Sequence, residues 1–518
     1  MTDNTAQTPS GPVLAADGRP LKASLNRALR AQKIRALLLI APLLIFILIT
    51  FIAPIADMLF RSVENQIVRD TLPRTVVALD TWTNTDEAPG EDVYAALYYD
   101  IFEAAEFRNH SRVGSRLNYE LTGVSSMFRR AGRGVGRFDT DIYTDQFTAL
   151  DPAWAEYETW TGLMDDDAIR AALPETSDAF DTWIHITIDA NDDVPAEEDI
   201  EDFVFTALYR DLSNTGYSGS NALLSTAADA VAGFESVSLR DQFADMDEDW
   251  LDPTVMETIK VYSPSYTPGY FLTAIDMQLT ADGVSAQPED RRIYVTLFER
   301  TLFMSMVIMG SCVLLGYPIA FLLANLPTRV SNLLLILVLL PFWTSLLVRT
   351  SAWKVLLQQQ GVINDVLVWI GLVADDNRLQ LINNQTGTII AMTHILLPFM
   401  ILPLYSVMQT IPPTYVRAAK SLGATNWTAF WRVYFPQSVP GIGAGCILVF
   451  ILSIGYYITP ELVGGRTGTF ISNRIAYHIS SSLNWGLAAA LGSILLAVVL
   501  LLYWAYDKLV GIDNVKLG

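Results

Sequence analysis

Cysteine is almost missing from this chain: there are two in 518 residues, Cys312 and Cys446, each inside a long apolar run. That excludes a disulfide framework and a cysteine metal cluster, and leaves both as small packing residues. Charge is scarce where its scarcity counts. The apolar runs hold essentially no Asp, Glu, Lys or Arg between their ends. Ion-coupled carriers rely on such groups as ion sites or proton relays, so that class is disfavoured. No Gly-x4-Gly-Lys-Ser/Thr stretch occurs, so no P-loop holds nucleotide. Asp165-Asp166-Asp167 and Glu197-Glu198-Asp199 lack the spacing and turn glycine of a calcium loop. No Ser/His/Asp or His-rich spacing stands out, and no internal repeat is evident. The expectation is a chain with no catalytic residue, no metal and no cofactor, and with no nucleic acid among its partners.

What the chain has is apolar length. Runs at Ala36 to Phe60, Thr301 to Leu326, Leu333 to Val348, Gly387 to Gln409, Val439 to Thr459 and Trp485 to Tyr506 approach a bilayer-spanning length of about 20 residues. Residues 1–33 are polar and read as a disordered cytoplasmic N-terminus. Arg27, Arg30, Lys33 and Arg35 hold that end inside by the positive-inside rule. The first run is too long for a removable signal peptide. The reading is an all-α membrane protein with six transmembrane helices and both termini cytoplasmic. Helix 1 covers 34–60, an insertion 61–295, a core with helices 2–6 covers 296–510, and 511–518 form a tail. A surface-lying amphipathic helix is expected around Val362, Ile363, Val366, Leu367 and Ile370.

The net charge of −21 is unevenly placed. Residues 61–300 hold 46 acidic against 17 basic residues, and the rest 9 against 17. A mildly basic membrane scaffold therefore carries a strongly acidic insertion. It lacks an apolar run able to span a bilayer and follows an outward helix, which places it outside the cytoplasm. A mainly α or α+β domain is expected, with helices over Val93–Phe107 and Ala222–Phe243. Its charge is read either as a solvated acidic face or as a means of concentrating a polycation, screened beyond about 8–10 Å.

Between the fourth and fifth runs lies Tyr415 to Gly441, polar and weakly amphipathic. Arg417 to Leu422 favour a short helix, and Gly423 suits a left-handed turn after it. Trp427, Phe430, Trp431 and Tyr434 are expected along one side of a second short helix that Pro436 and Pro440 stop. Two short helices with a glycine elbow make a knob that another protein can grip, or an ordinary connector.

The spacing Ala418-Ala419, three residues, Gly423, nine residues, Val433, one residue, Phe435-Pro436 resembles the EAA loop of permease subunits of binding-protein-dependent ABC importers. Arg417 stands where that loop carries Glu. Leu315-Gly-Tyr-Pro, Pro341-Phe-Trp-Thr-Ser, His394-Ile-Leu-Leu-Pro and Thr459-Pro-Glu-Leu-Val-Gly-Gly resemble the spermidine/putrescine branch of the family. The resemblance covers 301–506 closely and leaves the insertion uncovered. It implies a non-catalytic permease subunit in a bacterial inner membrane, importing polyamines or else another small organic solute or a metal chelate. It implies a second permease subunit, an ATPase dimer that uses the ATP, and an extracytoplasmic binding protein as partners. Arg417, Ala418, Ala419, Gly423, Val433 and Pro436 would form the ATPase-coupling loop.

Pro318, Pro341, Pro398 and Pro403 fall inside membrane helices, where each frees a carbonyl and bends the helix. Trp343 and Thr344, with Arg349 and Trp353, read either as an interfacial belt with a snorkelling Arg or as an entrance for a cation. Tyr456, Tyr457 and Glu461 carry the same two readings. His394, ionisable and inside a run, is read as neutral and hydrogen-bonded to a neighbouring helix, or as part of the path. The rival class is a membrane-anchored receptor or enzyme that works through the insertion.

Overall fold

The structure, a computed structural model, describes residues 21–83 and 86–510, and the chain divides at Arg61–Ser62 into two units. In the first unit the helix starts at Leu21, so residues 21–33 are helical rather than disordered. Residues 1–20 and the tail 511–518 lie outside the described residues. Gln32–Arg61 has a mean hydropathy of 3.0 and none of its apolar window is buried. A single π-turn, Leu48–Ile52, interrupts it one residue before Pro54. Proline has no N–H to donate and crowds the carbonyl four residues back; a wider turn there lets the helix continue.

The second unit begins with the insertion, whose regular structure among the described residues is helical apart from one hairpin, Met277–Thr280 paired antiparallel with Gly283–Ala286, and a single bridge between Glu64 and Tyr266. Gly283 takes φ +114° at the hairpin turn. The expected helix Val93–Phe107 is found as Glu91–Glu106. The expected helix Ala222–Phe243 is two helices, Ala222–Val231 and Leu239–Met246. Gly233 lies in the break, and Ser238 caps the second by accepting from Asp241 N at 3.1 Å.

The insertion is also a tandem repeat, contrary to the sequence reading. Arg69-x-x-Leu-Pro-x-Thr-x-x-Ala-x-Asp-Thr-Trp recurs from Arg170 with the same residues at the same spacing. Both copies fold alike. A six-residue helix, Gln66–Thr71 or Asp167–Ala172, leads through a buried leucine into a proline-started helix, Pro73–Thr81 or Pro174–His185. A buried aspartate from the next long helix caps each start. Asp100 Oδ2 accepts from Thr75 N and Oγ1 at 2.7 and 2.7 Å, and Asp211 Oδ2 from Thr176 N and Oγ1 at 2.8 and 2.7 Å. Further on, Phe147 packs against Trp154 and Phe243 against Trp250, with ring centroids 5.5 and 5.3 Å apart. An aspartate, Asp151 or Asp247, caps the turn between each pair.

The membrane half follows without a linker. Asp276 caps helix Tyr294–Asn325 by accepting from the N–H groups of Ile293, Tyr294 and Val295 at 2.9–3.0 Å. That cap starts the helix seven residues before Thr301. Four apolar helices of this unit are long enough to cross a bilayer: Glu289–Asn325, Gln385–Thr410, Asn426–Gly455 and Trp485–Tyr506. Their contacts rest on small residues. A Cβ on Gly445 would meet Met400 Sδ at 2.5 Å, and one on Gly441 would meet Leu404 Cα at 3.2 Å. The run read as one span, Leu333 to Val348, is instead a bent pair, Thr328–Trp343 and Leu346–Leu356, turning through 93°. Pro341 sits in the 3-10 turn at that bend, Leu340–Trp343, and not inside a helix. With the first unit's helix, five helices qualify as spans, or six if the bent pair counts as one.

Insertion and membrane half meet at Tyr270, which a buried cation holds from the insertion side. Arg116 donates to Asn65 Oδ1 at 2.9 Å and pairs with Glu120 at 2.8 Å, and its guanidinium lies 4.6 Å from the Tyr270 ring centroid. Tyr270 in turn packs on Leu487 and Leu491 of the last helix. His478 bridges Tyr294 Oη at 3.0 Å and Ser482 Oγ at 2.8 Å; burial and then Arg474 push its pKa down to about 4, so it is neutral.

Candidate functional site

The knob is present and projects from the helical core. Pro413–Ser421 is a helix without one buried residue. Gly423 takes φ +89°, where an L side chain is strained, and its N–H bonds to Lys420 O at 3.0 Å. Thr425 caps the next turn, Asn426–Ala429. The four aromatics do not share one side. Trp427 and Trp431 point outward, 72% and 43% exposed, with rings 5.6 Å apart. Phe430 and Tyr434 turn inward onto Phe321, at 5.7 and 5.1 Å. Helical spacing gives two i,i+4 pairs on different faces, which explains the split. Pro436 and Pro440 do not stop the helix either. A π-turn, Phe430–Tyr434, precedes Pro436, and the helix runs on to Gly455.

Leu422 is 89% exposed and, with Tyr415 and Trp427, makes an apolar surface on the knob. Arg417, Ala418 and Ala419 lie on the knob's first helix and Gly423 at the elbow; Val433 lies in the π-turn Phe430–Tyr434 and Pro436 in the helix that follows. Arg417 forms no ion pair among the described residues.

Among the path candidates the structure joins some and separates others. Trp353 Nε1 donates to His394 Nδ1 at 3.0 Å across two helices. An indole N–H can only donate, so Nδ1 carries the lone pair and the imidazole is neutral. Arg349 lies beside His394 and Tyr456, and its Nε is buried without a hydrogen-bond partner. Trp343, 72% exposed, and Thr344, whose Oγ1 donates to Pro341 O at 2.7 Å, stay apart at the bend.

Tyr457 and Glu461 line a second space, a groove of 760 Å³. Asn473 ties it together by donating to Tyr457 O at 2.9 Å and to Glu461 Oε2 at 2.6 Å. Arg292, Arg300, Arg466 and Arg474 also line it, and none has a carboxylate within 4.0 Å among the described residues. Sequence reading missed these four because they come from segments about 170 residues apart. A bare cation meets net repulsion there.

Residues 316–510 match the model of the binding-protein-dependent transport system inner membrane component family. The spermidine/putrescine transport system permease protein PotB of Salmonella typhimurium is 34% identical over 220 residues, 42% of this chain and 76% of that protein. The chain belongs to this family. As a member it is a non-catalytic, multi-pass permease subunit of an ABC importer in the bacterial inner membrane, and the family works with ATPase and substrate-binding protein partners. The inner membrane ABC transporter permease YdcU of Escherichia coli is 30% identical over 258 residues, 48% of this chain and 80% of that one. A solved bacterial alginate ABC transporter aligns with a TM-score of 0.34 and 20% identity over 42% of this chain and 78% of its own. The insertion lies outside the family match.

Proposed function

We propose that this permease subunit imports polyamines, with its insertion and the arginine groove outside the cell and the knob inside. The exposed apolar knob between two spans carries the reading: Tyr415, Leu422 and Trp427 stay out of the core on a loop whose Arg417, Lys420 and Arg432 suit the cytoplasmic side, where water does not reward their exposure. A partner's cleft would cover them, and the ATPase dimer would use the ATP. The bent pair at Thr344 would count as the sixth span. The other permease position would be filled by a second subunit. Polyamine cargo is supported by the resemblance to PotB, which covers the membrane half.

The arginine groove favours a second reading, an anionic solute. Uptake of labelled spermidine with unlabelled competitors separates the two. Competition by putrescine and none by small anions supports polyamines; the reverse pattern supports the second reading. Labelling of Leu422→Cys by an impermeant thiol reagent from outside the cell would sink the proposed orientation.

A further inference from the structure

The two copies in the insertion match in their framework: Leu72 and Leu173, Thr75 and Thr176, Asp100 and Asp211. Between them, at the first turns of helices Pro73–Thr81 and Pro174–His185, lies a cleft of 580 Å³, within the range of small-molecule sites. Equivalent positions from both copies line it, and there the copies differ. Arg74 stands against Glu175, Val77 against Asp178, and Tyr99 against Arg210. Like walls would suit a symmetric ligand; these unlike walls suit one with unlike ends.

The floor is apolar, with Ala78, Ala95, Ala96 and Ala179. The charges at its rim are sorted by depth. The side chains of Arg74 and Arg210 are 20% and 11% exposed, those of Asp178 and Asp92 58% and 85%. Both arginines are committed, Arg210 to Asp92 and Glu175 and Arg74 to Asp100, Glu103 and Asp178. Asp92 and Asp178 each give one oxygen to an arginine, which leaves the other for a ligand. Tyr99, 6% exposed in the wall, has a buried hydroxyl with no hydrogen-bond partner. Folded proteins seldom leave such a group unsatisfied.

We propose that this cleft binds a protonated aliphatic amine. Its carbon chain lies on the alanine floor, its ammonium donates to the free oxygens of Asp92 and Asp178, and a further polar atom meets the Tyr99 hydroxyl. An anion would meet the exposed carboxylates first, and a purely apolar ligand would leave Tyr99 unpartnered. The inference deepens the polyamine reading, on which its choice of cargo class rests, yet it stands on other residues and fails separately.

The full-length chain in phosphatidylcholine nanodiscs is titrated calorimetrically with 6-amino-1-hexanol, spermidine and, as the anionic control, hexanoate. Both amines are expected to bind and hexanoate not, with amide exchange slowed at 74–79 and 175–180. Asp92→Asn combined with Asp178→Asn is expected to weaken amine binding at least tenfold. Ala96→Leu, which fills the floor and leaves every charge, is expected to do the same with an unchanged melting profile. The proposal is overturned if neither amine binds, if hexanoate binds as well, or if both variants bind amines like the parent. Amine binding here without cellular polyamine uptake would spare the cleft and sink the transport reading; uptake without binding would do the opposite.

Discussion

Tryptophan is used in opposite ways in the insertion and in the membrane half. Trp154, Trp160, Trp183 and Trp250 are fully buried in the insertion, whereas Trp343, Trp369, Trp427, Trp485 and Trp504 are all more than half exposed. The interior of the membrane half is built from Met304, Cys312, Met392 and Met400, with Gly441 and Gly445 at the closest approaches. In water, burying a large ring removes much apolar surface and stabilises the fold. Lipid offers no such gain, so membrane helices hold together by close fit, for which small residues and flexible methionines serve best.

Trp250→Ala should break the insertion alone. A loss of about 4 kcal/mol is expected, read as a lowered denaturation midpoint for the insertion, with the membrane helices still resistant to detergent. If both halves unfold together, they are one cooperative unit and the contrast is only compositional. Next in size is a pH slope. Burial pushes the Asp100 carboxyl up to about 6, against the hydrogen bonds from Thr75 and the charge of Arg74. Between about pH 4 and 6 the folded state then holds a proton the unfolded chain has lost, so this group's contribution to stability falls as pH rises, by a total of about 3 kcal/mol. Asp211 is raised in the same direction, also by burial. Asp100→Asn should flatten much of that slope in melts across this range.

Thr75→Val and Thr176→Val sharpen the comparison within the insertion. Each removes one hydrogen bond to a buried aspartate and should cost about 2 kcal/mol. Costs differing severalfold would show that the copies no longer bear load alike. In the membrane half, Gly445→Ala drives a Cβ against Met400 and should cost about 1 kcal/mol. Gly310→Ala, with nothing within 4 Å, should cost nothing. The smallest effect belongs to Leu422→Ser, within about 0.5 kcal/mol in stability, while ATPase stimulation in the assembled importer should drop.

Local features were legible from the residues and distant ones were not. Gly423 announced its turn because a left-handed residue after a helix is a single-position demand. The knob's aromatics were placed on one face because a count of apolar positions does not say which pair faces Phe321. The Trp353–His394 bond spans 41 residues, and the arginine groove joins two stretches about 170 residues apart, so no spacing rule reaches either. The duplication was within reach: Leu-Pro-x-Thr followed by Asp-Thr-Trp stands twice, 101 residues apart. Divergence over the remainder of each copy hid it.

The π-turn before Pro436 has a mechanical side. Because the widened turn absorbs the proline, Asn426–Gly455 is one rod of 30 residues, about 45 Å long, with Trp427 at its exposed tip. Tip and membrane stretch therefore belong to one continuous helix. Force applied at Trp427 works on a lever whose far arm ends at Gly455, next to Tyr456 and the Arg349 guanidinium near it.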